Sequence, residues 1–404
     1  MKRRNSNFVA FDLGSSKIAA LATNIDNNGQ VSIHAQSVHA SGGMKSGMIT
    51  DMELAENSIV NTIYALEKDC DRSIKEVAVS LSGANVKSYY AQQTLKITNQ
   101  TVTASDVSKL INKALTAFKV ENREIIHYFP LEFKVNGNQV VDNPIDLCAS
   151  EISCQLHIVA AESSMLMNLV KCFAKCHVSI SDFILGVYAS AMSVVSESEM
   201  EIGTTVIEMG ANTTSYCIIS KGKLIYASSF PIGGNELTLS IARSLSIGIK
   251  EAEKMKILYG NASPKLISKD IIIELEDQTR SVTATQISQI VSPIITDIFN
   301  KIKQQCDDMS LNNLAAQQVV ITGGASALAG IKHCASNVLQ KQIRIAKYET
   351  ITGFTESYNP LSHSTLIGMI KLKIDAIRKK YYKDYLAEDS SILKKIFTWV
   401  KNNI

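Results

Sequence analysis

Two stretches of the chain, about 195 residues apart, place an acidic residue and a glycine-containing polar turn between two apolar strands. They are FVAFDLGSSKIAALA (residues 8–22) and TTVIEMGANTTSYCIIS (residues 204–220). Glycine lets backbone N–H groups approach an anion, hydroxyl groups add donors, and a lysine adds positive charge for a phosphate. An acid at the end of each strand can hold Mg²⁺, directly or through water. Two such hairpins facing each other would therefore bind a nucleotide triphosphate and its metal.

A third segment strengthens this interpretation. QVVITGGASALAGI (residues 318–331) predicts a strand, a turn at Gly323 and Gly324, and then a helix. Each hairpin taken alone is more typical of an ordinary tight turn than of a phosphate site. The repetition of the hairpin together with the diglycine turn favours phosphate binding.

The elements that must position these turns alternate along the chain. EVAVSLSG (residues 76–83) has the pattern of a buried strand, and VTASDVSKLINKALTAF (residues 102–118) that of a capped helix. A long amphipathic helix is predicted over residues 283–306, with a kink or restart at Pro293. This alternation predicts an α/β protein, and the repeated hairpin predicts two related halves with a cleft between them.

Composition sets limits on the class of protein. The chain has 404 residues, of which 46% are hydrophobic and 20% charged, as expected for a globular protein of more than one domain. A net charge of +3 gives no reason to expect a nucleic-acid partner. Eight cysteines and a start without a signal-like apolar run predict free thiols in a reducing compartment.

The ordered set of both hairpins, the diglycine segment and EAEKMK (residues 251–256) resembles the actin-like ATPases and, within them, the FtsA family of bacterial cell-division proteins. The resemblance runs nearly from end to end. It implies an α/β, actin-like (ribonuclease-H-like duplicated) fold of two domains with a nucleotide cleft, an FtsA-type inserted subdomain and a C-terminal amphipathic helix.

The resemblance also implies domain boundaries. They are residues 1–84 and 163–195 for the first half (subdomain 1A), 85–162 for the inserted subdomain (1C), 196–228 and 307–374 for the second half (2A), 229–306 for subdomain 2B, 375–388 for a linker, and 389–404 for a membrane-targeting helix.

Residues that match the family's motifs are expected to contact ATP and Mg²⁺. Those for ATP lie in the two phosphate loops, the turn of PIGGNELT, the helix of EAEKMK and the adenosine motif: Asp12, Gly14, Ser15, Ser16, Lys17, Gly210, Ala211, Asn212, Thr213, Thr214, Gly233, Gly234, Glu253, Lys256, Gly323, Gly324 and Ala325. Asp12 and Glu208 are the expected Mg²⁺ ligands, directly or through water.

Two departures from the related proteins concern hydrolysis. The second loop has Glu208 where the family usually has aspartate, and Ala211 and Asn212 where it commonly has glycines. Glutamate reaches one methylene further, and alanine and asparagine restrict the turn. The segment GVYASAMSVV (residues 186–195) has no acid or glutamine, whereas chaperones of the DnaK type carry an acid there that positions the attacking water. Such a group contributes about 10²–10⁴-fold, so the sequence predicts ATP binding with slow or negligible hydrolysis.

The last segment, DSSILKKIFTWVKNNI (residues 389–404), has the pattern of an amphipathic helix. At about 100° per residue its apolar side chains share one face and its lysines lie outside that face: Ile392, Leu393, Ile396, Phe397, Trp399, Val400 and Ile404, against Lys394, Lys395 and Lys401. This predicts a helix in the headgroup plane of an anionic membrane. A helix docked on its own domain is the alternative. The basic linker and a local charge of +5 from Lys371 to Ile404 favour the membrane.

For function, the resemblance implies a protein that self-assembles into protofilaments and tethers filaments of the tubulin-like protein FtsZ to the inner face of the cytoplasmic membrane at the septum. It would recruit later division proteins there. The FtsZ tail would bind near residues 279–294, where Arg280 or Lys301 could meet its acidic residues, although exposed cations are more often solvated surface. The alternatives are an FtsA-related pilus-assembly adaptor, an actin-superfamily sugar kinase and a DNA-segregating filament.

Overall fold

The protein's computed structural model describes residues 6–26, 30–309, 311, 318–347 and 363–382. The chain begins with the first predicted hairpin, in which Asp12 pairs with Ala19. A helix follows whose start is capped by Asp51, which accepts a hydrogen bond from the Leu54 N–H. The elements of this segment are β1 (Ser6–Leu13), β2 (Lys17–Ile25), β3 (Val31–Ala40), β4 (Met44–Lys45), β5 (Met48–Ile49), α1 (Met52–Cys70) and β6 (Glu76–Leu81).

An inserted subdomain with its own sheet interrupts the first half. Its helix begins with a capping box between Thr103 and Asp106, and its core includes Leu110, Ile152 and Leu156. The elements are β7 (Val86–Lys96), α2 (Ala104–Ala117), β8 (Arg123–Val135), β9 (Gln139–Val141) and β10 (Glu151–Glu162). The sheet order is β7-β10-β8-β9.

The chain then completes the first half and crosses to the second. The edge-on contact of Phe11 and Phe173, with ring centroids 5.4 Å apart, lies in the core of the first half. The elements are α3 (Ser163–Lys175), β11 (Ser179–Leu185), α4 (Gly186–Val194) and α5 (Glu197–Ile202). The sheet order of this half is β11-β6-β1-β2-β3.

The second half begins with the second predicted hairpin. Its elements, followed by the last described helix, are β12 (Thr204–Met209), β13 (Thr214–Ser220), β14 (Lys223–Phe230), α6 (Gly234–Leu245), α7 (Ile249–Tyr259), β15 (Ile272–Glu274), β16 (Ser281–Thr283), α8 (Ala284–Asp308), β17 (Gln318–Thr322), α9 (Ile331–Leu339), β18 (Gln342–Ile345) and α10 (Ser364–Tyr382). The sheet order of this half is β14-β13-β12-β17-β18.

The two five-stranded sheets have the same layout, which confirms the predicted duplication. β1 pairs antiparallel with β2 and parallel with β6, and β12 pairs in the same two ways with β13 and β17. β2–β3 and β13–β14 are likewise equivalent antiparallel pairs. The polar turns after β1 and β12 therefore leave their sheets at equivalent places.

Two local predictions differ from the structure. Of the kink or restart predicted at Pro293, the restart is wrong, because α8 is one helix in which buried Val291 and Ile295 flank the proline. Their packing offsets the hydrogen bond that proline removes. The kink stays a prediction. After Gly323 the chain forms a short 3₁₀ turn, Gly324–Ala327, and α9 begins only at Ile331. The helix predicted directly after the diglycine is therefore displaced along the chain.

The helix α10 corrects two predicted boundaries. Residues 364–374 were predicted in the second half, but buried Leu366, Met369 and Ile370 pack against Phe8 and other residues of the first-half sheet. The helix also continues to Tyr382, and so covers part of the predicted linker 375–388. An apolar stripe predicts that a helix is buried without saying which sheet buries it. The predicted membrane helix, residues 389–404, lies outside the described residues.

The helices α4 and α10 cross with their backbones in contact at Gly368. A Cβ added there would lie 1.6 Å from the Ala189 carbonyl oxygen. We predict that Gly368→Ala lowers the free energy of unfolding by about 3 kcal/mol, because the helices must separate. Urea denaturation measures this. The control is Gly248→Ser, which has no heavy atom within 4 Å of the added Cβ and provides an N-cap for α7. Equal stability of the two variants would contradict the close crossing.

Candidate nucleotide site between the two halves

A cavity of about 490 Å³ lies between the two halves of the described chain. One wall is formed by residues 12–17 after β1, and the opposite wall by Glu208 and residues 210–213 after β12. The volume lies in the range of about 300–1,000 Å³ that is typical of small-molecule sites. The two hairpins, distant in sequence, therefore face one shared space.

All but two of the residues expected to contact ATP line this cavity: Asp12, Gly14, Ser15, Ser16, Lys17, Gly210, Ala211, Asn212, Thr213, Gly234, Glu253, Lys256, Gly323, Gly324 and Ala325. The other two, Thr214 and Gly233, lie behind the second loop. Thr214 Oγ1 donates to the Ile232 carbonyl oxygen at 2.8 Å. A Cβ on Gly233 would lie 2.6 Å from the Gly210 carbonyl oxygen, so glycine lets this turn approach the loop.

In the first loop, an acid and a lysine lie close together at the cavity wall. Asp12 Oδ1 accepts a hydrogen bond of 2.6 Å from Ser80 Oγ, and Lys17 Nζ lies 3.3 Å from His363 Nε2. Burial raises the pKa of Asp12 and lowers the pKa of Lys17, and the charge of each opposes the shift of the other. A phosphate in the cavity would give Lys17 a second anionic partner.

The second loop is held by the start of α6. The N–H groups of Gly234 and Asn235 donate to the carbonyl oxygens of Gly210 and Ala211 at 2.9 and 2.7 Å. Asn235 Nδ2 also donates to Asn212 Oδ1 at 2.7 Å. Neither Ala211 nor Asn212 has a positive φ. The turn therefore does not need the glycines that are common in the family at these positions.

Glu208 is the acid of the second wall. Burial, and then the neighbouring Asp12 carboxylate, raise the pKa of Glu208 to about 7, against hydrogen bonds from Thr365 and Ser190. A divalent cation between the two acids would relieve this repulsion. Among the described residues no group of three or more His, Cys, Asp or Glu could hold a metal. Mg²⁺ would therefore rely on these two carboxylates, phosphate oxygens and water, which is its usual environment.

The far end of the cavity combines an ion pair with apolar surface. Lys256 Nζ lies 2.7 Å from Glu253 Oε2 and donates to Thr238 Oγ1 at 2.9 Å. Thr238 Oγ1 also donates to Glu253 Oε2. Leu237, Ile257 and Leu328 supply apolar lining. This end can accept a planar base and the hydroxyls of a sugar.

The sequence did not reveal that Ser46, in the β4–β5 turn, joins the two loops. Its N–H donates to Ser15 Oγ at 3.0 Å, and its Oγ donates to the Asn212 carbonyl oxygen at 3.3 Å. Ser46 and Gly47 both have positive φ, at 50° and 81°. The Ser-Gly dipeptide is a recognised turn signal, and it was the one available pointer to this bridge.

Comparison with known proteins identifies the family. A family model described as "Cell division protein FtsA" matches residues 205–368, and one described as "SHS2 domain inserted in FTSA" matches residues 83–160. The chain belongs to the FtsA family. This confirms the predicted family and the FtsA-type inserted subdomain, which contains β7–β10.

Relatives and solved structures agree with this. FtsA of Borreliella burgdorferi is 29% identical over 372 residues, covering 90% of each chain, and FtsA of Escherichia coli K12 is 24% identical over 407 residues, covering 97% of each. The structure "PilM-PilN type IV pilus biogenesis complex" aligns over 91% of this chain and 98% of its own, with a TM-score of 0.63 and 13% identity. MreB5 of Spiroplasma citri bound to ADP aligns over 93% and 98%, with a TM-score of 0.51 and 15% identity. These structures confirm the actin-like fold.

Within this FtsA-family site, α4 brings no acid to the cavity. The carboxylates among the lining residues are Asp12, Glu208 and Glu253. Gly186, at the place of the water-positioning acid of DnaK-type chaperones, is packed so that an added Cβ would lie 2.7 Å from Ser82 Oγ. Slow hydrolysis stays a prediction, and the lack of an acid on α4 at the cavity supports it.

The cations expected at the FtsZ-tail site of the family already have acidic partners. Arg280 Nη2 lies 2.7 Å from Asp277 Oδ2, and Lys301 Nζ lies 2.8 Å from Asp297 Oδ2. An acidic peptide would have to compete with these exposed pairs.

In the described part of the chain, no helix has the length and apolar character needed to cross a membrane.

The raised pKa of Glu208 predicts a pH-dependent stability difference. The carboxyl ionises near 4.5 when unfolded and near 7 when folded, so folding costs extra free energy as the pH rises above 4.5 and the full cost is reached above 7. Glu208→Gln should therefore raise the free energy of unfolding by about 1–3 kcal/mol at pH 8.5, and by little at pH 5. Urea denaturation at both pH values measures this. The exposed Glu274→Gln is the control, and a Glu208→Gln effect equal at the two pH values would refute the prediction.

Proposed function

We propose that this FtsA-family protein binds ATP with Mg²⁺ between its two halves and self-assembles. In that form it tethers FtsZ filaments to the inner face of the cytoplasmic membrane at the septum, as a peripheral protein that recruits later division proteins. The observation that carries the proposal is the meeting of both polar hairpins at one cavity in a chain of this family. The related fold of MreB5 has been solved with ADP and with AMPPNP.

Different residues of the cleft would bind the phosphates, the metal and the adenosine. Lys17, the hydroxyls of Ser15 and Ser16, and backbone N–H groups of the loops would bind the phosphates. Asp12 and Glu208 would hold Mg²⁺, which neutralises phosphate charge when bound. Glu253 and Lys256 would meet the adenosine. The described lining has no further carboxylate to orient an attacking water, so the bound state would be long-lived.

Membrane attachment rests on the sequence of residues 389–404. A single short amphipathic helix binds a membrane weakly, because adsorption orders the chain. Several tails on one filament would share their attachment, with avidity gains of about 10²–10⁴-fold. Self-assembly and membrane attachment would therefore depend on each other.

ATP binding should depend on Lys17 and be followed by little hydrolysis. We expect Lys17→Ala to weaken ATP binding at least about tenfold, since it removes a partly buried charge from the phosphate wall. Wild-type phosphate release should stay below about 1 per second, because the described lining has no acid besides Asp12, Glu208 and Glu253 to orient an attacking water. Titration with a fluorescent ATP analogue measures the affinity, and a phosphate-release assay measures the turnover. Lys113→Ala, in the inserted subdomain, is the control. Unchanged affinity in Lys17→Ala, or faster steady turnover, would contradict the proposal.

Liposome co-sedimentation tests the tether. Full-length protein should sediment with anionic vesicles, whereas Trp399→Glu and a chain ending at Ala387 should stay in solution while retaining ATP affinity. Addition of FtsZ should bring FtsZ to the vesicles with the full-length chain alone. Vesicle binding by the truncated chain would refute the anchor. Failure to capture FtsZ would instead favour the pilus-adaptor alternative.

A further inference from the structure

Two hydroxyl groups converge on one oxygen of Glu208 at the base of the cleft. Ser190 Oγ of α4 and Thr365 Oγ1 of α10 each donate to Glu208 Oε1 at 2.8 Å. Behind them, Ser364 Oγ donates to Ser190 Oγ at 3.2 Å, and Thr322 Oγ1 donates to Ser364 Oγ at 3.2 Å. The hydroxyls of Thr322, Ser364 and Ser190 thus all donate towards the carboxylate.

These hydrogen bonds connect the two halves. Glu208 is the last residue but one of β12, in the second half. Thr365 is on α10, which packs on the first-half sheet, and Ser190 is on α4, which directly follows β11 of that sheet. The backbone contact of Gly368 with Ala189 fixes α10 against α4 one residue before Ser190. The two hydroxyls therefore have little freedom to follow Glu208 if its carboxylate turns.

This arrangement determines which oxygen of Glu208 can meet a ligand. Both hydrogen bonds described for the carboxylate fall on Oε1, and the side chain lines the cavity opposite Asp12. Asp12 has the same arrangement, since Ser80 donates to its Oδ1. On each wall one carboxylate oxygen is held by a hydroxyl, and no hydrogen bond is described for the other oxygen.

We propose that Ser190 and Thr365 are positioning residues for the metal ligand Glu208. They hold Oε1 so that Oε2 is presented to the Mg²⁺ of the bound nucleotide, and they make metal binding sensitive to the packing of α4 against α10. This inference rests on the proposed nucleotide site. If the two hydroxyls were merely structural, their loss would affect nucleotide binding with and without Mg²⁺ alike. As positioning residues they should affect only the nucleotide affinity that depends on Mg²⁺.

Thr365→Val removes the donor and keeps the shape of the side chain, whereas Thr365→Ser keeps the donor. The affinity for a fluorescent ATP analogue is measured for each with excess Mg²⁺ and again with EDTA. We expect Thr365→Val to weaken binding about tenfold with Mg²⁺, as for the loss of one hydrogen bond to a charged group, and less than about twofold with EDTA. Thr365→Ser should stay within about twofold of the wild type in both arms.

Ser190→Ala gives an independent test if Thr365→Val fails to fold, and it should show the same loss confined to the Mg²⁺ arm. Its matched control is Ser193→Ala, on the same helix, whose hydroxyl donates to the Ser190 carbonyl oxygen at 2.7 Å. Equal weakening in both arms, or no weakening in either, would overturn the inference. Wild-type binding that does not depend on Mg²⁺ would overturn it while leaving ATP binding intact. A wild type that binds no ATP would overturn the proposed function and the inference with it.

Discussion

The placement of two carboxylates, Asp12 and Glu208, on opposite walls of one partly buried cleft is the constraint on which the rest of the structure depends. Burial raises the pKa of both groups, and Asp12 raises that of Glu208 further. Each acid is supported locally, Asp12 by Ser80 and Lys17, and Glu208 by hydroxyls from α4 and α10. A pair of acids that repel each other is costly to maintain unless a cation is to be bound there.

The duplicated fold is what brings these acids together. Because the two sheets share one layout, the strand ends β1 and β12 carry their acids to equivalent places, and the cleft forms where they face each other. The inserted subdomain also contacts the second half, since Tyr90 Oη donates to the Ile225 carbonyl oxygen and His157 Nδ1 to that of Leu224. Both acceptors lie on β14, which runs towards the Gly233 turn at the cavity. The halves are thus joined both beneath the nucleotide site and at the edge of the second sheet.

Local patterns account for what could be predicted from the sequence. The hairpins, the diglycine turns and the alternation of helices and strands depend on residue types within a short window, so the fold and most lining residues were accessible. The sheet against which α10 packs could not be predicted from the sequence, because the apolar stripe of this helix fits either sheet. The roles of Ser190 and Thr365 depend on two helices crossing far apart in sequence, and a single hydroxyl on an apolar helix has no local signature. The sequence indicated a turn at Ser46, between β4 and β5, but it did not indicate that Ser46 contacts the two phosphate loops.

The most direct test of the account is amide hydrogen exchange of the full-length protein during titration with ATP and Mg²⁺. A nucleotide held by both walls should slow exchange in residues 12–17 and 208–214 together, with one half-saturation concentration for both segments. Slowing confined to one segment, or two separate half-saturation concentrations, would contradict a single nucleotide held between the two halves.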